Sequence, residues 1–240
     1  MNSSKKIDIL FGTDKAEAFV DGMGIGHIFF KKNPYHNNAY YLTLELQQYD
    51  IEISKVIFDT LREKLHKRLV VMISSSDIEV ISFLLQCGFT LKRKCYDVNA
   101  SVETWNKAES NVSILKADLG SDAYKMCSLI MLERYISTHS NINPYTASAE
   151  DFFNVLPETV YYEMFDDEIV SLAFVDENEI AYVCGTDIRS FFAFAQNLVS
   201  LMFQINKNIT LEADDCDEYA MIIKNMFDDN SDDSFDTYIL

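Results

Sequence analysis

The sequence holds no apolar run approaching the roughly 20 residues that a membrane-spanning helix needs. No basic segment leading into a short apolar one, the mark of a secretory leader, opens it. None of its five cysteines (Cys87, Cys95, Cys127, Cys184, Cys216) stands in a C-x-x-C pair, and an odd number without a framework suits a reducing compartment better than export. The expectation is a cytoplasmic protein with no membrane partner. Metal-ligand spacing is also missing. His27, His36, His66 and His139 are scattered, and the acidic stretch 228–236 lacks the glycine of a calcium loop and has Ile239 where the bidentate Glu belongs. Cys216 lies among acids that raise its pKa, against a nucleophilic role. No metal is expected.

Positive charge is scarce in one half only. Residues 111–240 hold 6 Lys/Arg against 24 Asp/Glu, whereas residues 1–110 hold 14 of each. The second half repels phosphates, which excludes nucleic acid as its partner, and attracts cations, including amine substrates. The alternative reading of the same charge is a solvated, solubilising surface. With 240 residues, 48% of them hydrophobic, the chain can build one large core or two small ones.

The first 46 residues read as four strands, 7–11, 17–20, 26–32 and 39–46, separated by Gly22-Met23-Gly24, Asn33-Pro34 and Asn37-Asn38. The glycines at 22, 24 and 26 lie between strands with no helix following, which reads as a hairpin and not a nucleotide loop. An amphipathic helix follows over 51–66, on Ile53, Val56, Ile57, Leu61 and Leu65. A buried strand over 68–73 leads to a helix capped by Ser76 or Asp77 and stopped at Gly88, with Val80, Ile81, Leu84 and Leu85 as its apolar face. Residues 90–98 alternate like a strand. The polar stretch 99–111 reads as a linker whose Trp105 docks on a domain face.

After it come a strand over 112–117 and a helix from Ser121 with Met126, Ile130 and Leu132 among its apolar residues. A short helix from Ser148 is closed by Pro157. A three-strand meander turns at Asp166-Asp167 and Asp176-Glu177-Asn178. A deeply buried helix over 190–205, the strand "NITLEA", a helix over 215–227 and a last strand over 235–240 complete the chain. The predicted domains are 1–100 and 112–240, joined by 101–111.

Two stretches thus end alike, "DIEVISFLLQCGF" (77–89) and "DDCDEYAMIIKNMF" (214–227), each after a strand. The order of meander strands, central helix, strand, helix and strand, carried by "YYLTLELQQYDIEISKVIFDTLREKLHKRLVVMISSSDIEVISFLLQCGFTLKRK", resembles the GNAT N-acetyltransferase superfamily. Gly88-Phe89 matches that family's Gly-Phe ending, Asp77 stands where it often has Asn, and Met226-Phe227 takes the Gly-Phe place in the second half. The resemblance implies an α/β (α+β) fold of two GNAT-like mixed sheets flanked by helices. The N-terminal copy lacks the first helix pair, which 121–156 supplies in the other.

The resemblance further implies acetyl-CoA as co-substrate and a V-shaped opening between the central strands. The family's Q/R-x-x-G-x-G/A segment falls on residues 47–52, where Gln47 or Gln48 serves the first position. Both glycines are absent, and Asp50 and Glu52 add negative charge near the expected phosphates. The cofactor-binding residues implied are Leu44, Leu46, Gln47, Gln48 and Ser54. In the second half, on a spacing that is not the family's, Gly185 frees the backbone and Arg189 offers a partner to a phosphate. Leu84 and Ile222 stand where the family has its general-acid Tyr, which leaves Glu45 as candidate base and Tyr49, with Tyr40 and Tyr41, as candidate acids.

Two functions follow. One is an acyl-CoA-dependent N-acetyltransferase acting on a small cationic amine. The other is a catalytically degenerate GNAT-fold protein that binds a partner or metabolite through the same cleft or through a homodimer face. A third reading is one α/β domain with an accidental internal likeness.

Overall fold

The computed structural model describes residues 5–105, 112–228 and 233–240. They form two compact units. The first comprises 1–93, 142–146 and 235–240, the second 94–141 and 147–234. This differs from the expected 1–100 and 112–240. The reason is hydrogen bonding: the last strand completes the first sheet.

In the first unit, β1 (Ile7–Phe11), β2 (Lys15–Val20), β3 (Met23–Lys32) and β4 (Ala39–Leu46) form an antiparallel meander with no helix among them, as the missing helix pair requires. Asp21 and Gly22 both take positive φ (50° and 82°) in the hairpin expected there. Helix α1 (Ile51–Leu65) carries the chain to β5 (Arg68–Ser74), parallel to β4, and α2 (Ile78–Gln86) follows. Strand β12 (Ser234–Ile239) pairs antiparallel with β5 from Phe235↔Ser74 to Ile239↔Val70, giving the order β1-β2-β3-β4-β5-β12.

Helices α1 and α2 cover one face. Ile57, Phe58, Leu61, Phe83, Leu84 and Phe89 pack on Ile28, Leu42, Leu69, Val71 and Tyr238. Leu85, expected on the apolar face of α2, points outward and is 50% exposed; Phe83 takes its place. Asp77 stands at the N-cap of α2 without a side-chain bond, and Gly88 (φ +98°) supplies the left-handed stop. On the other face Ala39, Tyr41, Val70, Met72 and Ile239 pack with Ile142. Residues 142–146 are tied there by Arg68 Nη2 donating to Ile142 O (2.8 Å) and Thr146 N donating to Tyr35 O (2.8 Å).

Strand β6 (Thr90–Ser101), in the second unit from Lys94 on, extends beyond the predicted 98 and pairs antiparallel with β11 (Asn208–Asp214). Next in the sheet come β10 (Glu179–Gly185), β9 (Glu168–Asp176), β8 (Thr159–Phe165) and β7 (Leu115–Asp118). Only the β10–β11 neighbours are parallel. Helices α5 (Ile188–Phe203) and α6 (Glu218–Lys224) bury Phe191, Phe194, Leu198 and Ile223 on Ala173, Val183, Ile209 and Leu211. Helix α3 (Asp122–His139) lies on the opposite face, with Tyr124 edge-on to Phe174 at 5.5 Å between centroids. Helix α4 (Ala149–Phe153) starts in a capping box on Ser148 and Asp151. Met126 of α3, expected to be apolar-facing, is 50% exposed. The expected linker begins with a turn over Ser101–Thr104, and Trp105 then docks on Phe203 (5.6 Å) and bridges to Phe227. The remainder of the linker, 106–111, and residues 229–232 of the acidic stretch lie outside the described residues.

The place of β12 is testable within one strand. Tyr238 is 3% exposed in the first core and Phe235 is 49% exposed. Tyr238→Ala should cost about 3 kcal/mol in urea unfolding and Phe235→Ala less than about 0.5 kcal/mol; equal losses would contradict the insertion.

Candidate active site

In both units the parallel neighbours pair briefly and then part. Strands β4 and β5 are in register from Ala39↔Arg68 to Leu42↔Val71. Beyond that, Thr43–Leu46 stay with β3 up to Leu46↔Gly26, while Met72–Ser74 stay with β12. The facing edges form no ladder with each other, and a V opens between them. In the second unit a single register pair, Glu179↔Thr210, joins β10 to β11. A bulge in β10 between Ile180 and Tyr182 turns the strand further. The opening expected from the resemblance is therefore present in each unit.

The candidate residues sit around the first opening. Leu44 and Leu46 are half-buried against the α1/α2 core. Strand alternation sends Thr43 and Glu45 to the other face, where both are exposed. Gly26 fixes the strand behind Glu45: at φ +144° an added Cβ would lie 2.2 Å from Glu45 O, so only glycine admits this approach of β3 to β4. Tyr49 lies on the helix side, its ring 4.7 Å from that of Phe83. The base and acid candidates thus lie on opposite faces of the sheet. Gln47 and Gln48 have exposed side chains in the loop, and Gln47 N donates to Ile25 O (2.9 Å). Ser54, expected at the phosphates, is instead 2% exposed in the core. It lies one turn into α1, on the face that packs inward.

The helix N-terminus behind this loop, the expected phosphate seat, is occupied by a side chain. Asp50 caps α1 by accepting from Ile53 N (3.1 Å), and it pairs with Lys5 Nζ at 3.2 Å. The bond from Ile53 N, with the Lys5 ammonium beside it, holds its carboxyl below the usual range. The second unit repeats the arrangement: Asp187 accepts from Ser190 N (2.9 Å) and is likewise held low by that bond.

The other candidates of the second unit differ from expectation. A Cβ on Gly185 would meet Phe191 and Tyr219 at 3.0 Å, so packing fills the space a phosphate needs there. Arg189 is exposed in the first turn of α5 and lies beside Asp187. Sequence reading missed Arg134. It stacks over the Tyr219 ring (4.8 Å), pairs with Asp217 (2.8 Å) and approaches Glu218 (3.7 Å). Beside it burial pushes the Cys184 thiol up to about 11. The end of the second opening is therefore stoppered by an ion pair and two rings.

Among the described residues, no group of three or more His, Cys, Asp or Glu is arranged to hold a metal, and no helix is long and apolar enough to cross a membrane.

No family model matches the chain, and no curated protein does. Solved structures do. A GCN5-related N-acetyltransferase from Sphaerobacter thermophilus superposes with a TM-score of 0.52 at 11% identity, over 95% of this chain and 81% of that one. A protein from Enterococcus faecalis V583 described as a "Probable N-Acyltransferase" gives 0.51 at 7% identity, over 94% and 61%. At these identities the likeness speaks for the fold, which is that of the GNAT acetyltransferases: mixed sheets flanked by helices.

The capping role of Asp50 sets a pH signature. A carboxyl held low in the folded state stabilises it fully above the unfolded pKa of about 3.9 and loses that contribution as pH falls through the folded value. Asp50→Ala should cost about 1 kcal/mol at pH 7, and urea melts of wild type and variant should converge toward pH 2. A constant gap would show that the carboxylate is not what caps α1.

Proposed function

We propose that this GNAT-fold chain is an acyl-CoA-dependent N-acetyltransferase whose site is the β4–β5 opening of the first unit, with a small cationic amine as acceptor. The observation that carries the reading is the parting of β4 from β5 after Leu42↔Val71. It leaves two strand edges with backbone N–H and C=O groups turned to a cleft, and such groups require partners. A pantetheine arm is an extended chain with two amides and can pair with an edge as an added strand does.

In the reaction a C–N bond forms between acceptor amine and acyl carbon, and the C–S bond of the thioester breaks. An ammonium must first lose a proton, for which Glu45 is positioned on the exposed face. The departing thiolate takes a proton, for which Tyr49 is the nearest candidate on the helix side. Edge N–H groups polarise the thioester carbonyl, and the proximity of the bound partners carries part of the rate. The formal charge of −18 favours the approach of a cation.

A second reading, a binding protein without turnover, is favoured by one specific observation: Asp50 and Asp187 both occupy helix N-termini where a pyrophosphate would lie. Titration calorimetry with acetyl-CoA separates the two. The enzyme reading expects saturable binding, tightened about fivefold or more, about 1 kcal/mol, in Asp50→Ser, which keeps a cap and removes the charge. It also expects Glu45→Gln to lower kcat/KM by about 10². No heat and no thermal shift at millimolar acetyl-CoA would sink it.

A further inference from the structure

The face of the first sheet opposite α1 and α2 carries polar atoms that the fold leaves without a protein partner. Thr237 on β12 is 1% exposed and Asn143 6% exposed. Among the described residues nothing pairs with Thr237 Oγ1 or Asn143 Oδ1. Asn143 Nδ2 donates to the Tyr41 hydroxyl (3.2 Å). Register places Thr237 on the same face of the sheet as Tyr41. Tyr41, Val70 and Ile239 form one row across β4, β5 and β12, and Met72 and Thr237 form the next. That next row is where β4 leaves β5, so Thr237 stands level with the apex of the opening. Thr43 and Glu45 continue the same face along β4.

A buried hydroxyl or amide oxygen without a partner opposes folding. Valine has nearly the shape of threonine and would avoid that cost inside a strand, so the hydroxyl at 237 calls for a role. Two such atoms lie on one face beside an opening with an exposed carboxylate along it.

We propose that Asn143, Thr237 and the Tyr41 hydroxyl form an acceptor subsite. Its ligand is a primary amine bearing at least one further hydrogen-bonding group, with Met72 and Ile239 as apolar floor. Asn143 Oδ1 accepts from the ligand, the Thr237 hydroxyl gives or accepts, and Glu45 faces the ammonium. Segment 142–146 thereby supplies what the missing helix pair would. The proposal rests on the acyltransferase reading of the same opening.

The test uses the full chain and two probes, spermidine and glucosamine, by thermal shift and calorimetry, with acetyl-CoA titrated separately. At least one amine is expected to bind wild type at millimolar concentration. Thr237→Val should raise the melting temperature of the free protein and weaken amine binding about tenfold or more, with acetyl-CoA binding unchanged. Asn143→Ala should weaken the amine similarly, and Asn143→Leu, close in volume and without the acceptor oxygen, serves if the alanine variant does not fold. Failure of both amines to bind wild type, or Thr237→Val binding them as wild type does, overturns the subsite. Loss of the acetyl-CoA response in wild type would instead overturn the acyltransferase reading, so the two failures are distinguishable.

Discussion

A parallel pair of strands that cannot stay together governs the first unit. A parallel ladder requires a crossover, and α1 supplies it on the side where a right-handed connection must lie. At the paired end of β4 and β5, Phe58, Leu61 and Leu84 are fully buried over Leu42, Leu69 and Val71. Farther along, Leu44, Leu46 and Ile73 are only half-buried. Each strand has a stronger attachment elsewhere: β4 remains in regular register with β3 for its last four residues, and β5 with β12. The opening is thus the place where two antiparallel attachments outcompete one parallel one. The edge groups left there without a ladder call for a partner.

The units repeat this constraint and differ in what surrounds it. In the second, α3 and α4 cover the face opposite α5, Phe191 and Tyr219 close over Gly185, and Arg134 bonds Asp217. With 20% and 18% of the two side chains exposed, much of that ion pair's attraction offsets its own desolvation, so it serves geometry more than stability. In the first unit Ile142 packs on the equivalent face, and Thr43 and Glu45 remain open to solvent. The Asp/Glu excess also separates by unit. The segments of the first hold 12 Lys/Arg and 12 Asp/Glu, those of the second 8 and 26. An anionic co-substrate therefore meets no local excess of like charge in the first unit.

Much of this was legible in local signals. Alternation gave the four leading strands, the 3.6-residue period gave α1, and Gly22 and Asp166-Asp167 marked hairpins that adopt positive φ. Gly88 marked the end of α2. What escaped was non-local. Nothing near residue 237 announces that β12 pairs with β5, some 165 residues earlier in sequence. Nothing near Asn143 points to Tyr41, 102 residues away. Ser54 was assigned to the phosphates by counting from a motif, whereas the helical period turns it inward. Arg134 carries no spacing signal at all, since its partners lie on α6 and in the turn before it. The division of the chain is non-local in the same way: a composition change marks where charge shifts, not which sheet a strand joins.

The aspartate at the head of α1 bears most directly on whether the opening serves a coenzyme. Its bonds are individually weak opponents. A side-chain cap is worth about 1 kcal/mol, and the exposed pair with Lys5 adds little. A diphosphate arriving at the same N–H groups brings acceptors of its own, so the bond from Ile53 N is exchanged and not lost. Repulsion is the larger quantity, about 4 kcal/mol if the carboxylate stays within 4 Å near the protein surface. It falls toward about 1 kcal/mol when the side chain turns into water. Turning out also frees the Lys5 ammonium, which then faces the phosphate. By this accounting Asp50 lowers affinity for an anionic tail without closing the seat. The part of the ligand bound along the strand edges must then supply most of the binding, which is where the first unit differs most from the second.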